Sequence, residues 1–217
     1  MRDTIIQEIL KHKIIAIVRG MDKEQTVKIA KALYEGGIRF IEVTFNQKKP
    51  DEFYKTADAI RAIREEMGDK MYVGAGTVTS VKLVDMAAEA GALYMISPDI
   101  DEAVIRRTRD LGLVSIPGAY TATEAKKAYN AGADFVKLFP CVGEEAAAYV
   151  KALCAPFNHI PFLAVGGVNS DNVADFIKAG AKGVGVGSCL ANKKWADAGR
   201  YDLITEEAKR FISNINQ

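Results

Sequence analysis

Two ionisable side chains stand where the sequence calls for apolar residues of buried strands. In the run Asp134-Phe-Val-Lys-Leu-Phe-Pro140, strand alternation puts Phe135, Lys137 and Phe139 on one face and Val136 and Leu138 on the other. An amine among apolar neighbours loses hydration of its charged form, which lowers its pKa and leaves more neutral, nucleophilic amine near neutral pH. Such a lysine can attack a carbonyl and form a Schiff base. The plainer alternative is a strand-end lysine whose stem snorkels to water. The run Arg39-Phe-Ile-Glu-Val-Thr-Phe45 repeats the pattern: Phe40, Glu42 and Thr44 share a face opposite Ile41 and Val43. Burial raises a carboxyl's pKa and a nearby ammonium lowers it, a balance that suits proton transfer. A structural Glu–Lys ion pair is the alternative here.

Both residues need strands to place them, and the chain supplies a repeating set. Short β-rich runs recur at Ile14–Val18, Phe40–Thr44, Met71–Val73, Leu93–Ile96, Leu113–Ile116, Phe135–Leu138, Pro161–Val165 and Gly183–Val186. Helical stretches separate them: Phe53, Ala57, Ile60, Ile63 and Met67 trace one face, and Val27, Ala30, Leu33 and Tyr34 another. Glycines in Glu35-Gly-Gly, Ala90-Gly-Ala, Leu111-Gly-Leu, Ala131-Gly-Ala and Ala179-Gly-Ala stop the helices. Eight strand–helix units predict an α/β fold, the parallel (β/α)8 TIM barrel, as one domain over residues 1–217. The segment Asp3–Lys11 reads as an extra N-terminal helix closing the barrel bottom. An open doubly wound sheet would carry a Gly-x-Gly-x-x-Gly turn after its first strand, and Val18-Arg-Gly-Met-Asp has one glycine.

Barrel chemistry gathers at the C-terminal strand ends. Those ends are Arg19, Glu42 with Thr44, Gly74-Ala-Gly-Thr77, Ser97-Pro98, Pro117-Gly118, Lys137, Gly166-Gly167 and Gly187-Ser188. Arg19 suits two parallel hydrogen bonds to a carboxylate or phosphate. Gly166-Gly167 and Gly187-Ser188 follow strands seven and eight, where such barrels often hold phosphate on backbone N–H groups, although plain turns would look the same. Thr77, after Gly74-Ala-Gly76, offers a hydroxyl and nearby backbone donors; the plain alternative for both Arg19 and Thr77 is a solvated side chain or a helix cap. Thr121-Ala-Thr-Glu124 reads as a capping box, and Thr79-Ser80 and Asn169-Ser170 as helix caps.

Composition excludes other classes. Lysine and arginine number 29 against 28 aspartates and glutamates, with no basic block, so neither nucleic acid nor a membrane surface is an expected partner. No apolar run approaches a bilayer span and the N-terminus lacks signal-peptide order, which predicts a cytoplasmic protein. Cys141, Cys154 and Cys189 show no Cys-x-x-Cys spacing, and His12 and His159 stand apart from other ligand types, so no metal site is expected.

With these residues placed, the chain resembles the class I 2-keto-3-deoxy-6-phosphogluconate (KDPG) and 4-hydroxy-2-oxoglutarate aldolases, which also include enzymes for the galactonate epimer of KDPG. The likeness runs almost end to end. It rests on Ala16-Ile-Val-Arg-Gly20, Gly36-Gly-Ile-Arg-Phe-Ile-Glu-Val-Thr44, Val73-Gly-Ala-Gly-Thr-Val78, Ile96-Ser-Pro98, Ile116-Pro-Gly118, Phe135-Val-Lys-Leu-Phe-Pro140, Val165-Gly-Gly-Val168 and Val186-Gly-Ser188. The resemblance implies that Lys137 forms the imine with a 2-keto acid and that Glu42, through a water, relays protons. It implies Arg19 and Thr77 on the substrate carboxylate and Gly166, Gly167, Gly187 and Ser188 around a remote phosphate. Phe139 would wall the imine, Pro98 and Pro117 would shape the mouth, and Val165 would lie near the sugar C4 hydroxyl. It further implies no cofactor or metal, 2-keto acid and phosphosugar substrates, and a homotrimer.

Three departures bear on the substrate. Asn46 stands where some relatives carry arginine, Ala164-Val165 where gluconate-type relatives carry Pro-Thr, and Asp99 where glycine usually follows the proline. The first two resemble galactonate-type enzymes, and Val165 lacks a hydroxyl to read C4. Two rivals remain at this stage: a non-covalent phosphosugar isomerase or epimerase, and a phosphosugar-binding protein in which Lys137 and Glu42 are an ion pair.

Overall fold

Alternating strands and helices close into a parallel barrel in the computed structural model, which describes residues 1–215 and 217. Its strands are β1 (Ile14–Val18), β2 (Phe40–Thr44), β3 (Tyr72–Gly76), β4 (Tyr94–Ile96), β5 (Val114–Ile116), β6 (Gly118–Ala119), β7 (Val136–Leu138), β8 (Phe162–Val165) and β9 (Gly183–Val186). They lie in the order β5-β4-β3-β2-β1-β9-β8-β7-β6, every pair parallel. β5 matches the fifth expected strand, Leu113–Ile116, and β6 is a short continuation beyond it that the sequence reading did not include. Pro117 divides them because it has no N–H for the ladder. The gap is bridged: the Pro117 carbonyl accepts from Lys137 N–H at 2.9 Å, and the Ser115 carbonyl accepts from Asp134 and Phe135 N–H at 2.9 and 3.3 Å.

The helices are α1 (Arg2–His12), α2 (Lys23–Glu35), α3 (Phe53–Met67), α4 (Val81–Glu89), α5 (Glu102–Asp110), α6 (Ala122–Asn130), α7 (Ala146–Cys154), α8 (Val173–Lys178), α9 (Lys193–Asp197) and α10 (Tyr201–Asn214). No helix among the described residues is long and apolar enough to cross a membrane. The Thr121 capping box opens α6, and Ser80 caps α4. Asn169-Ser170 is corrected: α8 begins at Val173 with Asn172 as its cap residue, while the Asn169 carboxamide accepts from Asp171 and Asn172 N–H in the turn before it.

Alternation along the strands builds two apolar layers. Outward residues such as Ile41, Val43, Val136 and Leu138 pack under the helices. Inward Ile15, Phe40, Tyr94, Val114, Phe135 and Leu163 fill the barrel with Ile5 and Ile9 of α1, which plugs the bottom as expected. β3 runs three residues beyond the expected Met71–Val73, and its extension is made of small residues for a tertiary reason. A Cβ at Gly74 would lie 2.2 Å from the Tyr94 ring, and one at Gly76 would lie 1.7 Å from Glu42 Oε1. The Tyr94 ring reaches across this space to donate its hydroxyl to the Ile41 carbonyl at 2.7 Å.

Candidate active site

Above that plug the interior turns polar. Glu42 and Lys137 project inward two residues above Phe40 and Phe135 and are 2 % and 7 % exposed. No ion pair at 4.0 Å or less joins them. Glu42 Oε2 is buried with no hydrogen-bond partner among the described residues. Lys137 Nζ lies over the Phe139 ring, 4.6 Å from its centroid.

The electrostatics follow from this placement. Burial pushes the Lys137 amine below its ordinary pKa, opposed by attraction to Glu42 and aided by the positive charge of Arg19. Burial pushes the Glu42 carboxyl up, opposed by Lys137 and Arg19. A pair of titratable groups moved toward neutrality from both sides is suited to passing a proton. The barrel thus holds an amine and a carboxyl that feel each other without neutralising each other.

A cavity of about 270 Å³ opens onto Lys137. It brings together Arg19, Phe139, Val165, Gly166, Gly187 and Ser188 of the expected residues. It also brings Ile17 and Met21 from the end of β1, and Ala191 and Lys193 from around the start of α9. Lys193 was not singled out in the sequence; Asn192 before it gives only a helix-cap signal, through hydrogen bonds to Lys194 and Trp195 N–H. Glu42 does not line the cavity; its carboxyl lies against Gly76. A roomier groove of about 570 Å³ beside α5 and α6 holds no buried ionisable group.

The other expected residues lie around this centre rather than in the cavity wall. Pro98 borders an adjoining pocket of about 350 Å³, and Phe139 forms the partition between the two. Pro117 is buried behind Lys137, whose backbone N–H it accepts. Gly167 is exposed beyond Gly166, its carbonyl accepting from Asn172 Nδ2 at 3.0 Å. Thr77 follows Gly76 at a backbone φ of +57°, and Asn46 faces a different pocket, over α3. Among the described residues no three His, Cys, Asp or Glu side chains are grouped as a metal site.

The same chain matches known proteins over this whole architecture. A family model for KDPG and KHG aldolase covers residues 5–207. The 2-dehydro-3-deoxy-6-phosphogalactonate aldolase of Escherichia coli (strain K12) is 37% identical over 183 residues, 83% of this chain and 85% of that protein. The 2-dehydro-3-deoxy-phosphogluconate aldolase of Treponema pallidum (strain Nichols) is 32% identical over 212 residues, 98% of each chain. A solved structure named "Native KDPGal structure" superposes with a TM-score of 0.83 at 33% identity, covering 94% of both chains. An inward amine and carboxyl at the mouth of a barrel that matches these proteins from end to end lead to one conclusion: the chain belongs to the KDPG and KHG aldolase family and is a carbon–carbon lyase.

Proposed function

We propose that the chain is a Schiff-base aldolase, a single barrel domain over residues 1–217, that cleaves KDPG to pyruvate and glyceraldehyde 3-phosphate. The observation that carries this is the buried Lys137 amine, unpaired, facing a cavity and held near a buried, unpartnered carboxyl. Neutral Lys137 attacks C2 of the 2-keto acid, and the carbinolamine loses water to give a protonated imine. Glu42, through a water, takes the proton of the C4 hydroxyl as the C3–C4 bond breaks, and the bonding electrons pass into the imine to form an enamine. Glyceraldehyde 3-phosphate leaves. Protonation of C3 and addition of water then release pyruvate and restore the amine. The same steps would cleave 4-hydroxy-2-oxoglutarate to pyruvate and glyoxylate.

Binding draws on the cavity wall and on the residues around it. Arg19 and Thr77 take the keto-acid carboxylate, while Gly166, Gly167, Gly187 and Ser188 take the phosphate with Lys193 as its cation. Phe139 walls the imine, and Pro98 and Pro117 shape the mouth. A non-covalent isomerase or a binding protein would not need an amine relieved of its ion pair. A second reading is favoured by one residue: Val165 in the cavity wall offers no hydroxyl to the sugar, which supports the galactonate epimer as an equal or preferred substrate. Exposed Tyr120, Phe139 and Val142 near the mouth support the homotrimer, which light scattering checks. The free cysteines fit a reducing, cytoplasmic setting.

Pyruvate with borohydride, followed by peptide mass spectrometry, tests the covalent step. An adduct on Lys137 is expected; an unmodified Lys137 in folded protein rejects it. Comparing kcat/KM for the two epimers then decides substrate preference.

A further inference from the structure

We propose that Gln47, on the exposed rim after β2, is a positioning residue that sets the Thr77 turn for the keto-acid end of the site. This rests on the Schiff-base reading, in which Thr77 meets the substrate carboxylate. Thr77 is a β-branched residue at φ +57°, a conformation L-residues avoid because Cβ crowds the backbone. Such a residue persists only where its surroundings hold it. The ladder secures its two neighbours: the Gly76 carbonyl accepts from Phe45 N–H at 2.9 Å, and Val78 N–H donates to the Ile96 carbonyl at 3.1 Å.

Between those bonds Thr77 itself is off the ladder, and Gln47 supplies the missing contact. Its Nε2 donates to the Thr77 carbonyl at 3.0 Å, while its Oε1 accepts from the Thr79 hydroxyl at 3.1 Å. A carbonyl can only accept, so the amide orientation is dictated by chemistry. The arrangement leaves the Thr77 N–H and hydroxyl without a partner among the described residues. It does so next to Gly76, whose missing side chain makes room for the Glu42 carboxyl. Gln47 therefore holds, from the exposed rim, the turn that directly follows Gly76, the residue against which the Glu42 carboxyl packs.

The test measures the pyruvate concentration that half-saturates borohydride trapping at Lys137. Gln47→Met keeps the length and removes both hydrogen bonds. It is expected to raise that concentration about 3- to 10-fold, the value of one modest hydrogen bond, with the maximal trapping rate and Tm little changed. In a Thr77→Gly background glycine adopts positive φ without strain, so the same change should cost less than about 2-fold. An unchanged half-saturation in folded Gln47→Met, or equal factors in both backgrounds, overturns the proposal. Absence of any adduct in the unaltered protein overturns the Schiff-base reading and this inference with it, an outcome distinct from either of those.

Discussion

The two ends of the barrel each bury a carboxylate, and they treat it in opposite ways. At the bottom Asp134, whose side chain is 3 % exposed, is fully engaged: Arg2 pairs with it, Arg109 lies at 3.7 Å, and Ser115 N–H donates at 2.9 Å. At the top Glu42 is as deeply buried, yet one of its oxygens has no partner. Burying a carboxylate is costly unless hydrogen bonds and opposite charge offset the lost hydration. The lower end meets that condition, and the result is a clasp between α1 and the strand base. The upper end leaves it unmet, and the result is a group whose protonation can change. A buried charge by itself thus says little; its satisfaction separates scaffold from chemistry.

The sharpest break in that comparison is to remove the amine that Glu42 senses. Lys137→Met should abolish borohydride trapping and lower kcat/KM by about 10⁴-fold or more, as loss of a nucleophile does, while the protein remains folded. Next come the carboxylates themselves, exchanged one at a time. Glu42→Gln should lower kcat by about 10²- to 10⁴-fold yet raise stability at neutral pH, because the environment disfavours the ionised form. Asp134→Ala should do the reverse. It leaves Arg2 and the Ser115 N–H without their acceptor and should lower unfolding free energy by about 1–3 kcal/mol, with kcat nearly unchanged. That figure is moderate because the Arg2 side chain is 28 % exposed and can rehydrate. Urea unfolding and steady-state kinetics on the same samples check both; parallel losses at the two sites would erase the distinction.

pH sharpens the contrast further. Glu42 titrates above its ordinary 4.5 in the folded protein, so between 4.5 and that raised value the folded state holds more protons than the unfolded one. Its contribution to stability is therefore complete below 4.5 and lost as pH rises through the raised value. Glu42→Gln should flatten this part of the stability profile. Lys137 titrates below its ordinary 10.5, so its contribution grows as pH rises from the lowered value toward 10.5. The rate of trapping at low pyruvate should rise over pH with a midpoint below 10.5. A midpoint at the ordinary lysine value would mean that burial does not activate the amine.

Much of this architecture is legible in the sequence. The strand–helix repeat is written in period-2 and period-3.6 patterns, and the inward faces of Lys137 and Glu42 follow from alternation alone. The length of β3 was not legible, because Gly74-Ala-Gly76 carries no strand propensity of its own; those residues are small to admit Tyr94 and Glu42 from neighbouring strands. The Asp134 clasp joins residues 132 positions apart, which no local pattern encodes. Lys193 reaches the cavity from a five-residue helix whose sequence reads as surface. Gln47 was invisible for a related reason: its role lies in a contact with a backbone carbonyl 30 residues away.

The smallest expected effect carries the polar-satisfaction rule to the wall of the cavity itself. Val165 is 7 % exposed, and Gly185 leaves it space, since a Cβ there would lie 2.8 Å from Val165 Cγ2. Threonine has nearly the same shape, so Val165→Thr changes polarity rather than packing. In the free protein the new hydroxyl is largely removed from water and should cost about 1 kcal/mol of stability unless it bonds a nearby carbonyl. With a sugar bound, that same hydroxyl can pair with a C4 hydroxyl of one configuration and not the other. The ratio of kcat/KM for the gluconate to the galactonate epimer should therefore rise about 10-fold, the equivalent of one hydrogen bond, with trapping by pyruvate, which has no C4, unaltered. An unchanged epimer ratio would remove Val165 from substrate choice and leave the preference to residues outside this wall, with Asn46 the first to exchange.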